Sequence, residues 1–265
     1  MKKIQQKSKI VTFGSGPAKF NLVVGVHGNE QSPAKAAILL EKYLQKNKLT
    51  GNFRLIFANT SALQRNGRFM ETDLNRCFPG KESGLYEEKL AYDLSFIIKN
   101  TPFNFDFHST TFAVKTYGII STYSEETRGI INYLDIPNYV FTDNNCLIKF
   151  ASNGIGFEMG DDREKKTVFE TFKLMKKILA YFNIIPTEKI KKITLERKVF
   201  LIYNALNKKD IRPLKNLRDF ILVKRGQTIG LSPTNKKIIA TDSFYPVWTN
   251  HPNIINMAKN IIIKN

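Results

Sequence analysis

The stretch VVGVHGNE, residues 23–30, carries an apolar run straight into His27, Gly28, Asn29 and Glu30. A histidine and a glutamate at this spacing can meet on one metal ion if the chain turns directly after a strand, and Gly28 permits such a turn. The chain has three histidines, His27, His108 and His251. His108 closes a second segment of the same kind, FNFDFHS. Two histidines and one glutamate form the three-ligand set of a catalytic zinc, which leaves a fourth position for water. The spacing is not that of the helical H-E-x-x-H motif. A lone histidine at a strand end is more often a hydrogen-bonded structural residue. The metal reading rests on His27, Glu30 and His108 together.

Between these segments lies RFMETDLNRCFPG, residues 68–80, which places Arg68, Asp73, Asn75 and Arg76 close together in the chain. An arginine beside a metal can polarise a carbonyl, and a second can grip a carboxylate through its two-pronged fork. Taken alone, the segment reads equally well as a surface loop whose arginines pair with nearby acids. A further apolar stretch, GIGFEMG, carries Glu158.

The elements that must position these residues follow from periodicity. Residues 21–26 and 53–59 read as strands. Pro33 suits the first turn of a helix continued by AKAAILLEKYL. The spacing of Leu90, Leu94, Ile97 and Ile98 predicts a helix, and residues 163–182 predict a long amphipathic one. FNFDFHS alternates as a strand does, and YGIIST and GIGFEMG are short apolar strands. Strands alternating with helices imply an α/β architecture with a mostly parallel mixed sheet, whose ligands bind at the carboxyl ends of the strands. After Pro186 the chain becomes polar and basic over residues 183–198, which reads as a linker. From Val199 onward VFLIYNAL, RDFILVKRGQTIG and KKIIATDSFYPVW predict β-structure, with Gly226 and Gly230 marking turns. The expected organisation is a catalytic domain over residues 1–186 and a β-rich C-terminal subdomain over residues 187–265.

The 265 residues carry 41 Lys and Arg against 23 Asp and Glu, a formal charge of +18. That surplus would favour acidic partners, from nucleic acid to a small acidic substrate. The lysines are dispersed, with short runs such as KIKK at residues 189–192, and no nucleic-acid-binding signature accompanies them. A solvated basic surface is the expected reading, with nucleic acid not the main partner. Cys77 and Cys146 make neither a disulfide framework nor a zinc ribbon. The N-terminal segment lacks the apolar run of a signal peptide, and no stretch approaches the ~18 apolar residues of a membrane span. A cytoplasmic protein without a membrane partner is expected.

HGNE, R-x-x-x-x-D-L-N-R-x-F-P-G, D-F-H-S-T-T and G-F-E-M-G occur here in one order over residues 22–160. In that order and spacing they resemble the succinylglutamate desuccinylase/aspartoacylase family of zinc-carboxypeptidase-like hydrolases. FYPVW, residues 244–248, is more weakly similar to that family's C-terminal β region. The resemblance implies one Zn2+ per chain on His27, Glu30 and His108. It implies Glu158 as the catalytic carboxylate and Arg68 as the group that polarises the scissile carbonyl. Asn75 and Arg76 would hold a substrate carboxylate, and Asp73 and Asp106 would support the ligands. The implied reaction is hydrolysis of an N-acyl amino acid, a small anionic substrate.

Two elements of the aspartoacylase pattern are missing. That branch has an arginine about ten residues before the catalytic glutamate, where this chain has only Lys149 nearby. It also has a tyrosine shortly after YPV, where this chain reads WTNHPNIIN. Fold and reaction type are therefore expected to carry over, and the aspartoacylase substrate is not. A carboxypeptidase-like peptidase or amidase and a non-catalytic metal- or anion-binding protein are the competing readings. A homo-oligomer stays open.

Overall fold

The apolar runs become the inner strands of a ten-stranded mixed sheet in the computed structural model, which describes residues 7–47, 49–112, 114–186 and 197–261. The first half contains β1 (Lys9–Phe13), β2 (Phe20–Val24), α1 (Gln31–Gln45), β3 (Phe53–Phe57), α2 (Thr60–Arg65), a 3-10 turn (Leu74–Arg76) and α3 (Tyr86–Lys99). The centre contains β4 (Phe103–Thr110), β5 (Tyr117–Ile120), α4 (Glu125–Tyr133), β6 (Asn138–Phe141), α5 (Leu147–Phe150), β7 (Gly154–Asp161) and α6 (Lys165–Tyr181). The C-terminal part adds β8 (Lys198–Asn207), β9 (Arg212–Pro213), β10 (Thr228–Leu231), β11 (Lys237–Ile239), β12 (Tyr245–Val247) and β13 (Ile254–Ile261).

The large sheet has the order β1-β3-β2-β4-β7-β5-β6-β8-β13-β12. Its centre, β3-β2-β4-β7, is parallel. The carboxyl ends of β2, β4 and β7 therefore share one edge, where such sheets bind ligands. The interior strands are covered on both faces by two apolar clusters. Phe20, Leu22, Val24, Phe105 and Phe107 pack toward Ala37 and Leu40 of α1 and Ile178 and Leu179 of α6. Val23 and Ile56 pack on the opposite face toward Leu90, Leu94 and Ile98 of α3 and Leu147 of α5.

The expected α/β class and the C-terminal β-structure are both present. In sequence, β4 alternates apolar with polar residues, yet every residue from Asn104 to Thr110 is buried. Its polar face looks inward because α3 and α5 cover that side. β5 departs from the parallel expectation: it runs antiparallel to β7 and parallel to β6. The C-terminal strands do two things. β8 pairs parallel with β6, and β13 and β12 extend the large sheet beyond it. β9, β10 and β11 form a separate three-stranded antiparallel sheet. Gly226 does sit in a turn, with φ +85°. Gly230 instead lies within β10, where a Cβ would fall 2.4 Å from Ile211 Cγ1. RDFILVKRGQTIG, residues 218–230, forms a strand only in its last three residues, where β10 begins, with Val223 making a single bridge to Phe244. The expected linker falls largely on residues 187–196, which with the KIKK run lie outside the described residues. Among the described residues no helix is long and apolar enough to cross a membrane.

Candidate active site

Three buried side chains converge at the carboxyl edge of the sheet. β2 ends at Val24, and the following turn delivers His27, then Glu30 immediately before α1. The left-handed backbone of this turn is at Gly25, φ +68°. Gly28 is required for a different reason from the one its sequence suggests: it lets the turn approach the backbone of α2. A Cβ there would lie 2.0 Å from the Ala62 carbonyl carbon and 2.2 Å from its oxygen. Gly28→Ala is expected to cost ~1–3 kcal/mol through overpacking and by displacing His27 from Glu30. Thermal unfolding checks this.

His27 Nδ1 lies 2.7 Å from Glu30 Oε1, and His108 Nδ1 lies 2.8 Å from Glu30 Oε2. The outer nitrogens are held by carboxylates, His27 Nε2 by Asp73 Oδ1 at 3.0 Å and His108 Nε2 by Asp106 Oδ2 at 2.8 Å. Such outer contacts fix the orientation of an imidazole and leave the inner nitrogen for a ligand. Ligand atoms of His27, Glu30 and His108 lie within 4.8 Å of one another. Burial alone would depress both histidines. Glu30 and Asp73 outweigh it and raise His27, while Asp106 and Glu30 raise His108 well above its ordinary value. Burial would raise Glu30, but the two imidazoles bring it down to about 2.

Glu158 completes a row across three strands. In the register of the sheet it is paired with His108 of β4 on one side and Tyr117 of β5 on the other. Its Oε2 is buried without a hydrogen-bond partner. Burial, reinforced by Glu30 and opposed by His108, raises its pKa to about 8. A carboxyl group raised toward neutrality beside side chains that could hold a metal suits proton transfer. Tyr117 accepts a hydrogen bond from Trp248 Nε1 at 2.7 Å, so the C-terminal region touches the end of this row. Trp248 also stacks on His251, and Phe112 meets both rings edge-on.

The loop between α2 and the 3-10 turn brings in the remaining candidates. Arg68 Nη2 lies 2.9 Å from Asp73 Oδ2 and 3.0 Å from His27 Nε2, with Nη1 3.7 Å from Glu30. Asn75 is half-buried, and its side-chain oxygen accepts from Leu147 N at 2.9 Å, tying the 3-10 turn to α5. Arg76 is exposed, with Nη1 donating to the Asn75 carbonyl at 3.0 Å. Lys149 is exposed and paired with Asp143. Tyr117, Trp248 and Ser109, whose N–H donates to Glu30 Oε2 at 3.3 Å, belong to the surroundings of the site; Ser109 and Trp248 lie in quoted motifs without a role having been read for them, and Tyr117 lies in none, only in the strand YGIIST. The pairing of β5 with β7 that recruits Tyr117 has no local signature. Tyr117 and Trp248 meet across 131 residues of chain.

The succinylglutamate desuccinylase/aspartoacylase catalytic domain matches residues 18–165, more than half of the chain. A succinylglutamate desuccinylase of Ectopseudomonas mendocina is 35% identical over 80 residues, which is 29% of this chain and 24% of that protein. The chain thus spans less than two thirds of that relative's length. A probable aspartoacylase of Prochlorococcus marinus is 24% identical over 258 residues, covering 87% of this chain and 78% of that one. Among solved structures, a succinylglutamate desuccinylase/aspartoacylase from Rhodobacter sphaeroides superposes with a TM-score of 0.73 at 16% identity. It covers 96% of this chain and 89% of that one, a likeness of fold.

Proposed function

Because the chain belongs to the succinylglutamate desuccinylase/aspartoacylase catalytic-domain family, we propose that it is a zinc-dependent hydrolase of the amide bond in N-acyl amino acids. The observation that carries this reading is the convergence of His27, Glu30 and His108 beside a buried Glu158 with an unpartnered oxygen. Two imidazoles and a carboxylate, oriented from behind by Asp73 and Asp106, fit zinc and suit an open catalytic site. When bound, zinc supplies a Lewis acid that polarises a carbonyl and acidifies water.

The chain's own groups account for the rest. Glu158 accepts a proton from the attacking water and returns it to the leaving amine. Arg68, held against Asp73 at the mouth of the site, faces the negative charge that develops on the carbonyl oxygen. Arg76 reaches into solvent from the 3-10 turn and clasps a substrate carboxylate, which places the scissile bond. Asn75 holds that turn against α5 and supports the same clasp. Residues 1–186 form the catalytic unit, and residues 187–265 supply the β-rich part that reaches Tyr117 through Trp248. Two free thiols, Cys77 and Cys146, suit a reducing, cytoplasmic setting.

The test is a panel of N-acyl amino acids and short peptides, assayed with and without chelator. Chelator-sensitive cleavage of acyl amino acids supports the proposal. Preference for peptides would favour a carboxypeptidase-like activity, and no cleavage at all would favour a metal- or anion-binding role. Acetylaspartate is expected not to be the best substrate. The arginine fork of the aspartoacylase pattern is missing, and Lys149 is engaged with Asp143. Loss of such a fork weakens binding by roughly one to two decades. A panel in which acetylaspartate has the highest kcat/KM would overturn this expectation.

A further inference from the structure

The structure assigns Glu87 a positioning role: its buried carboxylate holds the backbone of residues 70–72 and thereby sets Arg68 and Asp73 on the His27–Glu30 corner. Glu87 is the second residue of α3 and is 0% exposed. Its Oε1 accepts from Met70 N at 2.6 Å and from Asn59 Nδ2 at 3.0 Å. Its Oε2 accepts from Glu71 N and Thr72 N, each at 3.0 Å. All four donors are neutral, and three are consecutive backbone N–H groups of one irregular loop. Such a run of N–H groups forms a concave anion site, here filled by a carboxylate of the same chain. The first turn of a helix also favours negative charge.

The contacts show what this carboxylate is for. A buried acid is costly unless its oxygens are satisfied, and an apolar residue would serve α3 as packing. Every bond that Glu87 makes goes instead to the loop or to Asn59, which itself accepts from Ala62 N and caps α2. The loop answers in kind, since Glu71 Oε2 accepts from Tyr86 N at the start of α3 at 2.6 Å. The held residues lie between the two that reach the site. Arg68 is two residues before Met70, and Asp73 directly follows Thr72. Asp73 orients His27, and Arg68 bonds to Asp73. Arg68 is half-exposed and is held at its tip by Asp73 and His27, so the backbone that Glu87 fixes sets where both Arg68 and its partner Asp73 begin.

The kinetic consequence rests on the hydrolase reading above, while the structural one is tested without it. In the zinc-loaded wild-type protein, the amides of Met70, Glu71 and Thr72 should exchange hydrogen as slowly as sheet amides, although they lie outside regular structure. Glu87→Gln replaces one acceptor oxygen with a donor that faces N–H groups. These three amides should then exchange at least ~10-fold faster, with β2 and β4 unchanged and zinc retained. On the best N-acyl amino acid, kcat should fall ~10–100-fold with KM little changed, because Arg68 acts on the transition state. In an Arg68→Ala background the same substitution should cost less than ~3-fold, since both act through one loop. Fast exchange of these amides in the wild type, or unchanged exchange in Glu87→Gln, overturns the proposal. So does a full kinetic penalty that persists without Arg68, which would mark Glu87 as a general stability residue. If the wild type cleaves no N-acyl amino acid, the functional reading fails, and the exchange measurements alone decide the role of Glu87.

Discussion

Glu158→Gln is expected to retain stoichiometric zinc and a near-native melting temperature while losing roughly two to four decades of turnover, the usual span of general acid–base assistance. The amide has nearly the shape of the carboxyl group and can occupy its place in β7 between His108 and Tyr117. It cannot accept and return a proton. Glu158→Asp should also be impaired, because the shorter side chain holds its carboxylate about one methylene away from the water. The measurement is turnover of the best substrate at saturating zinc, alongside metal content and unfolding. Unchanged turnover in the Gln variant would remove Glu158 from the reaction. A second arm reads the same residue in the metal-free protein. Burial raises Glu158 from 4.5 to about 8 in the fold. Between those values the folded chain holds a proton that the unfolded chain has released, so this group's contribution falls as pH rises from about 4.5 through about 8. Metal-free Glu158→Gln should therefore gain stability over wild type as pH rises across that window.

His27→Ala and His108→Ala should each abolish stoichiometric zinc binding and, with it, detectable turnover. Each removes one of the three proposed ligands and leaves Glu30 buried without one of the two imidazoles that lower its pKa. Loss of a ligand also strands its orienting partner, Asp73 for His27 and Asp106 for His108. The expected occupancy is about one zinc per wild-type chain and well below that in either variant. Metal analysis after dialysis against a weak chelator reads this directly. Full zinc in both variants would place the metal elsewhere. Asp73→Asn offers a graded comparison, since carboxylates that orient a ligand imidazole typically contribute about 10–100-fold to affinity or activity.

The convergence of the candidate metal ligands was legible because its parts are local. A strand, a tight turn and a helix start place His27 and Glu30 together, and a second strand supplies His108. α3 and α6 followed from apolar periodicity, and α1 from Pro33 and the run of helix formers after it, for the same reason. What escaped the sequence depends on which elements become neighbours. β5 is a short apolar strand with nothing in it to say that it runs antiparallel to β7. Glu87 sits in an amphipathic helix among other acids, where a solvent-facing position is the natural expectation, yet it is fully buried. The polar positions of β4 show the limit of binary patterning: Asp106 and His108 look like a wet face in sequence and form the floor of the site in the fold.

The pairing of β6 with β8 bears on the order in which the molecule is made. Translation releases the chain from its N-terminus, and domains begin to fold as they emerge. Every residue proposed for catalysis, substrate or metal precedes Met159, so those side chains are all translated while the remainder is still being synthesised. At that stage β6 has β5 on one side and nothing on the other, and an unpaired parallel edge is a template for adhesion to other chains. β8 closes that edge through Asn138↔Lys198 to Phe141↔Leu201, and β13 and β12 move the sheet boundary outward. Seen on the ribosome, the C-terminal strands are the segment that ends a period of exposure, and a stalled or shortened translation product would carry the His27–Glu30–His108 residues on an unfinished, adhesive sheet.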